Sequence, residues 1–444
     1  MSALFVPQPY ASWGRVIRRE HLVARPRYRD ELPGLIAATA EDGATVLGAG
    51  LGRSYGDSGL NPEGRLICGR ALDRFIALDL DSGVLRAEGG ASLDAILRLI
   101  APHGWFLPTT PGTRFVTLGG AVANDVHGKN HHLAGSIGCH VRKIGLLRSD
   151  DGPLELSPDQ SAGLFFATVG GLGLTGFIEW VELQLVRALS GFLDQEAIAF
   201  SSLDGYFDLV EDSNARFEHV AAWIDCTAAG SALGRGVMFR ANWSPEAGLR
   251  AHSPRLKLRV PLDAPGWLLN PVSIKAFNSV YLWRQSARAG SRRTPYASVF
   301  YPLDAIGDWN RLYGAAGFYQ HQSVAPPGAE REAVRDMLRV IAGSGQGSFL
   351  AVLKSLGPRD SGGLISFPKP GASLALDFPN RGRRTLDLLE RLDDIVMGAG
   401  GRIYPAKDGR MSAATFRAGY PRWTALEALR DPLFQSAFWR RVTQ

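Results

Sequence analysis

The 444-residue chain predicts an α+β fold in which one domain is interrupted by another, and three observations lead there. The length exceeds what one hydrophobic core serves. Short strand-like runs alternate with helical stretches from about residue 30 to residue 186. After about residue 190 the pattern changes: FLDQEAIAF, HVAAWIDC and GVMFRANW are strand-like pieces set between helical ones, as in a separate α+β unit. At 45% hydrophobic and 21% charged, the composition is that of a folded protein and excludes extended disorder.

Taken in order, DELPGLIAATAEDG reads as a helix, TVLG as a strand, and GAGLGRSYGDSG at 48–59 as a glycine-rich turn. LICGRAL and FIALDL read as strands. VLRAEGGASLDAILRLIAPHGWFL reads as a strand, a turn and a helix with Leu93, Ile96, Leu97 and Ile100 on one face. Residues 109–141 form a long, almost helix-free run dense in Gly, Thr, Asn and His, and strands return at 141–156 and 176–186. The least polar stretch, 161–178, carries five glycines and reads as buried strands with a turn, not as a membrane span. Residues 251–293 are rich in Arg and Pro with interleaved Trp, Leu and Phe. They read as a surface excursion or as a basic, apolar flap that meets lipid, with Trp267, Leu268, Leu269, Phe277 and Trp283 as its apolar members. The last 45 residues read as a strand, a loop and two helices.

The net charge of +6 is carried almost wholly by arginine, with only seven lysines, at 129, 143, 257, 275, 354, 369 and 407. That balance suits an anionic substrate or membrane surface, and no nucleic acid is expected. Cys68, Cys139 and Cys226 are odd in number and lack metal-like spacing, so neither a disulfide framework nor a zinc site is expected. The opening MSALFVPQPYASWGRVIRRE lacks a continuous apolar stretch, so no Sec-type signal peptide is expected. A protein of the cytoplasm, or peripheral to the plasma membrane, fits these features.

Two glycine-rich segments carry the chemistry. The first fails as a dinucleotide fingerprint of the Rossmann type, because Arg53 stands where the third glycine belongs and SYGDSGLNP follows in place of a helix. Its successive backbone N–H groups can still form an anion-binding nest. The second, PTTPGTRFVTLGGAVANDVHGKNHHLAGSIGCHV, offers threonine hydroxyls, backbone donors and polar side chains in a loop whose length marks it as functional. His127, His131 and His132 lie in it without a helical face or carboxylates, so a metal is not expected.

GLGRSYGDSG, VTLGGAVANDVHGKNHHLAGSIGCHV, VGGLGLTGFI, YPLD, the YQHQ segment and YPAKD together resemble the vanillyl-alcohol-oxidase-type flavoproteins nearly end to end. Within that family the chain is similar to members acting on polyprenyl-phosphoryl ribose. The resemblance implies a two-lobed FAD-binding domain at 1–190, an inserted α+β substrate domain at 191–401, and a C-terminal segment, 402–444, returning to the FAD-binding domain. It implies FAD contacts from Gly48, Ala49, Gly50, Leu51, Gly52, Arg53, Ser54, Tyr55, Gly56, Asp57 and Ser58. Further contacts are implied from Gly112, from Thr117, Leu118, Gly119 and Gly120, from Asn124, Asp125, Val126 and His127, and from Ile178 and Tyr404. Many relatives tether the flavin through a histidine in the first glycine loop. Here Ser54 precedes Tyr55 and no histidine occurs from 22 to 102, so FAD is expected to be held non-covalently.

The implied activity is oxidation of the ribose 2′-hydroxyl to a 2-keto sugar, the first half of a 2′-epimerisation to an arabinose donor for the cell wall. An NADH-dependent keto-reductase is the implied partner. Such chemistry needs a hydride acceptor, a group that takes the hydroxyl proton, and cations for the phosphate. Lys407 in YPAKD is the first candidate for activating or orienting the hydroxyl, as a neutral base or as a cation, with Tyr55 and His127 beside it. Lys129, Lys354 and Lys407 are candidates for phosphate and ribose contacts, and Gln320 and Gln322 for neutral sugar oxygens. Asp304 is expected to order a loop. An oxidase of small soluble polyols or hydroxy acids on the same fold is the alternative. In one respect the chain departs from mycobacterial members of the family, which carry a cysteine in the strand before a DFP-like tripeptide: ASLALDFP has Ala375 at the matching position.

Overall fold

The computed structural model describes residues 4–188, 190–245, 248, 258–288 and 290–444. A four-stranded sheet opens the chain, in the spatial order Val6–Ala11, Arg18–Ala24, Arg65–Cys68, Val46–Ala49. Its inner pairings are parallel, with the helix Leu32–Glu41 forming the crossover. A five-stranded antiparallel sheet follows, ordered Phe75–Asp79, Val84–Glu88, Phe177–Gln184, Val141–Arg148, Gly152–Leu156. The helix Leu93–Ile100 starts where the Ser92 hydroxyl accepts the Ala95 N–H at 3.1 Å, and it buries the apolar face the sequence gives it.

Residues 192–403 build an eight-stranded sheet in the order Gly290–Pro295, Phe192–Phe200, Gly236–Trp243, His219–Ile224, Ala351–Leu356, Gly371–Pro379, Phe318–Ala325, Arg402–Ile403. The helices Leu203–Arg216, Glu330–Ser344 and Arg383–Gly398 share a core with one face of this sheet, through Leu338, Ile341, Leu374, Leu376, Leu389 and Leu392. On the other face Leu193, Ala241 and Trp243 pack with Phe106, Tyr296 and Phe300, and the part formed by Phe318–Ala325, Gly371–Pro379 and Ala351–Leu356 is free to line a cavity.

Three expectations are corrected, and one surface segment gains a defined element. The run 161–178 begins as a helix, Ala162–Thr168, and only Phe177 onward is strand. An apolar run without clear periodicity does not distinguish a buried helix from a strand. The segment 109–141 holds short helices at Leu118–Ala123 and His131–Ala134, against glycine's poor helix propensity. Gly119 permits it by packing on the Gly89 carbonyl, 3.1 Å from where its Cβ would stand. Within 251–293 lies a 16-residue helix, Pro271–Ser286, whose start is capped by the Asn270 side chain; residues 251–257 and 289 lie outside the described residues. The C-terminal segment has three helices, Ala413–Gly419, Trp423–Leu429 and Ala437–Thr443, not two. Among the described residues no helix is long and apolar enough to cross a membrane.

The chain end locks the first glycine turn to the YPAKD turn. Phe434 packs with Leu32, Ile36 and Val46, and the Ala437 N–H donates to the Leu60 carbonyl at 2.8 Å. Arg441 bridges Asp57 at 2.8 Å and Asp408 at 3.0 Å. The Tyr55 N–H donates to the Ala406 carbonyl at 2.9 Å, and a Cβ on Gly56 would stand 1.6 Å from the Asp408 carbonyl oxygen. Gly56→Ala should therefore force the two turns apart and destabilise the protein by about 1–3 kcal/mol, read as a drop in denaturation midpoint. An unchanged midpoint would show that the turns do not pack so closely.

Candidate active site

A cavity of about 720 Å³ lies between the glycine segments and the free face of the large sheet, a size ordinary for a small-molecule site. Its upper wall is backbone-rich: residues 48–56, Ser58, Gly112, Thr117, Gly119, Gly120, Asn124, Val126, His127 and Ile178. Gly52 has φ +65°, and a Cβ on Gly50 would collide with the Thr117 hydroxyl, so only glycine lets a ligand and this backbone come close. The Ser58 hydroxyl, the Asn124 side-chain carbonyl oxygen and His127 Nδ1 are buried there without a partner among the described residues. Buried polar atoms are rarely left in that state unless a ligand or water completes them. This cradle fits a large polar cofactor with anionic and hydrogen-bonding parts.

The floor comes from three adjacent strands. Side chains alternate across a sheet with a period of two. Along Gly371–Pro379, Leu374, Leu376 and Phe378 face the helices, and Ser373, Ala375 and Asp377 line the cavity. Register aligns Gln320 with Asp377, Gln322 and Val352 with Ala375, and Lys354 with Ser373. Tyr404 and Lys407 close the site from the turn after Arg402–Ile403.

Four residues proposed from sequence point elsewhere. The Asp57 carboxylate is taken by Arg441, and Leu118 is core. Asp125, at φ +41°, accepts from the hydroxyls of Ser136, Ser361 and Ser366 and from the Gly138 N–H, so it braces the loop from behind. Lys129 donates to the Val299 carbonyl and lies off the cavity wall. Asp304 does order a loop, accepting the Arg114 N–H at 2.9 Å. Among the described residues no group of His, Cys, Asp and Glu could hold a metal ion.

The electrostatics follow from burial. Lys354 is pushed down to about 7 by burial, helped by the charges of Lys129 and Lys407. Burial alone holds Lys129 down at about 8. Burial also lowers Lys407, while Asp377 pulls the other way. Asp377 is raised far above the usual carboxylate range, again by burial. The Lys407 ammonium sits 3.9 Å above the centre of the Tyr55 ring, a cation–π contact that keeps the charge in place. Burial holds His127 well below its ordinary value, with Lys354 adding to the effect, so its ring is neutral. The Gln322 amide donates to His127 Nε2 at 3.1 Å, which leaves the proton on Nδ1. The Tyr404 hydroxyl donates to the Asn124 carbonyl at 2.8 Å, and its ring stacks on Phe367 at 4.4 Å.

Sequence reasoning missed Asp377. The signal was present, since a lone carboxylate stands between Leu376 and Phe378 in an otherwise apolar strand. It also missed Trp13, Phe115 and Trp309, which add aromatic wall from three separate segments.

Residues 21–156 match the FAD binding domain family. The chain is 35% identical to the decaprenylphosphoryl-β-D-ribose oxidase of Mycolicibacterium smegmatis, across 97% of this chain and 96% of that protein. An uncharacterised protein of Streptomyces coelicolor is 32% identical across 79% of this chain and 99% of its own length. The L-gulono-1,4-lactone dehydrogenase of Mycobacterium tuberculosis is 25% identical across 47% of this chain and 48% of that protein.

Lys354 supplies a test of the site's electrostatics. Its native value of about 7 lies below the ordinary 10.5, so the unfolded chain binds more protons between the two and stability must rise with pH across that window. Relative to Lys354→Met, the wild type should gain stability above pH 7 with a slope of up to about 1.4 kcal/mol per pH unit. Parallel stability curves for the two proteins would show a solvated lysine.

Proposed function

The chain belongs to the decaprenylphosphoryl-β-D-ribose oxidase family of FAD-dependent oxidoreductases, and from that premise we propose that it oxidises the 2′-hydroxyl of a polyprenyl-phosphoryl ribose. The product is the 2-keto sugar, and the step is the first half of a 2′-epimerisation to an arabinose donor. The observation that carries this reading is the cavity itself, where a glycine-lined cradle faces two amides, one buried carboxylate and two half-buried lysines.

FAD, when bound, accepts the hydride from the sugar carbon. We assign its binding to residues 48–56, Ser58, Gly112, Thr117, Gly119, Gly120, Asn124, Val126, His127, Ile178 and Tyr404, with Asp57, Leu118 and Asp125 supporting this cradle from behind. Lys407 orients the reacting hydroxyl over the Tyr55 ring, and Gln320 and Gln322 hydrogen-bond the neutral sugar oxygens. Lys354 faces the phosphate: an anion beside it favours its protonated form and offsets the cost of the buried charge. Lys129 contributes through its field on Lys354 rather than by contact. On this reading residues 1–190 and 402–444 hold the cofactor and 191–401 the substrate. The keto sugar requires a second, NADH-dependent reductase to complete the epimerisation.

A lipid-linked substrate also calls for a membrane surface. The helix Pro271–Ser286 exposes Val272, Ala276, Val280 and Trp283 along one side, beside exposed Trp267 and the cations Lys275, Arg284 and Arg288. An exposed apolar stripe flanked by cations is the pattern of an interfacial helix. We therefore place the protein peripherally on anionic membrane, with this helix as its contact.

Anaerobic bleaching of the flavin by a short synthetic prenyl-phosphoryl ribose should be fast, and bleaching by free polyols slow. The opposite order would assign the protein to the small-polyol oxidases. Co-sedimentation with anionic vesicles should fall markedly for the Val280→Glu, Trp283→Glu double variant, and unchanged binding would remove the helix from the membrane contact.

A further inference from the structure

Resting on the oxidation proposed above, we infer that Asp377 is the general base: its unpartnered Oδ2 takes the proton of the ribose 2′-hydroxyl while Lys407 stays the cation that holds the oxygen. Asp377 is 1% exposed and lines the cavity. Its strand neighbours Leu376 and Phe378 turn to the helices, so the pleat aims the carboxylate at the site. The Gln320 amide donates to Oδ1, and the Asp377 backbone N–H is spent on the Ser348 hydroxyl at 3.0 Å. Oδ2 has no partner. A fold rarely buries a carboxylate oxygen without a donor unless a ligand supplies one, and a hydroxyl held at Lys407 is such a donor.

The other groups around the site are excluded as bases by their own chemistry. Tyr55 and Tyr313, which face Asp377 from the first glycine turn and from the turn Trp309–Tyr313, are held protonated by burial and then by the Asp377 charge. His127 accepts from Gln322 at one nitrogen and carries its proton on the other. Lys354 donates to the Gly128 carbonyl at 3.4 Å and, on the reading above, is assigned to the phosphate. Burial lowers Lys407, but the Asp377 charge opposes that lowering and the Tyr55 ring favours the ammonium, so Lys407 serves as the cation of the pair. In the step, the hydroxyl O–H bond breaks and its proton passes to Asp377 Oδ2. The C2′–H bond breaks, its hydrogen would leave with both electrons as hydride to the FAD that the cradle would hold, and the electron pair freed on oxygen closes the ketone C=O. Lys407 keeps its three protons throughout, and Asp377 returns its proton to solvent after the product leaves.

Single-turnover bleaching of the holoenzyme by the prenyl-phosphoryl ribose, followed from about pH 5 to about pH 10, tests the assignment. The expected profile is a bell, rising as Asp377 ionises and falling as Lys407 loses its proton, with both limbs belonging to the pair. A profile that only rises through the lysine titration would make neutral Lys407 the base and overturn the inference. Asp377→Asn should bleach at least about 100-fold more slowly and lose the acid limb; bleaching at the wild-type rate overturns the inference too. Independently of turnover, NMR of isotopically labelled lysine, simple in a chain with seven, should show Lys407 titrating at lower pH in Asp377→Asn, and an unmoved titration counts against the pair. Should the variant fail to fold, the wild-type profile tests the assignment alone. If the ribose ester leaves the wild type unbleached while a polyol bleaches it with the same bell, the substrate assignment falls and Asp377 stands.

Discussion

Everything in the site depends on the register of three antiparallel strands. Phe318–Ala325, Gly371–Pro379 and Ala351–Leu356 each send alternate residues to opposite faces. A slip of one residue on the central strand would turn Leu374, Leu376 and Phe378 into the cavity and bury Ser373 and Asp377 among the helices. That error would sacrifice the apolar core and strand a carboxylate in it, so the core itself enforces the position of the functional groups. A second lock lies behind the sheet. His321 meets Asp393 at 3.1 Å and Arg410 grips the same carboxylate at 2.6 Å, tying strand, helix Arg383–Gly398 and the segment after YPAKD into one unit. Lys407 is thereby positioned by a network whose members face away from it.

The same sheet sets the energetics. Withdrawing two lysines and a carboxylate from bulk solvent destabilises each charge, and the values of all three groups move toward neutrality. Protein interiors tolerate such groups where function uses them. On the function proposed, the work divides by position: Lys354 would hold the anion and the Asp377–Lys407 pair would serve the carbon that is oxidised. The neutral His127 and the amides of Gln320 and Gln322 line the same cavity without adding charge.

Aromatic contacts connect this centre to the exposed helix Pro271–Ser286. Tyr55 packs edge-on to Phe318 at 5.4 Å, Phe318 stacks on Tyr313 at 4.1 Å, and Tyr313 stacks on Phe349 at 5.5 Å. Phe349 in turn meets Phe277 of the helix at 5.5 Å. Asn278 anchors the same helix by donating to Asp225 at 3.0 Å. Helix and cavity wall therefore share one packed aromatic cluster, which suits a substrate with a polar head in the cavity and an apolar tail at a membrane.

The sequence by itself determined the class of the fold, both glycine cradles, and the Lys354, Gln320, Gln322 and Lys407 side chains that meet in the cavity. The fold class and the cradles were legible because they rest on local constraints: glycine where backbone must come close, and a period of two or of 3.6 in apolar residues. The four side chains were legible as polar residues of the segments that carry the family resemblance. Tertiary structure alone decided which side of a loop a polar residue serves. Asp125 and Lys129 sit beside Asn124 and His127 in the chain, yet packing turns their side chains to Ser361, Ser366 and the Val299 carbonyl. It also decided the role of Asp377, because the meaning of a carboxylate in an apolar strand depends on which face the strand presents and on what Gln320, Tyr55 and Lys407, distant in sequence, place against it. No local pattern encodes that meeting, since it is the sum of three registers and one turn.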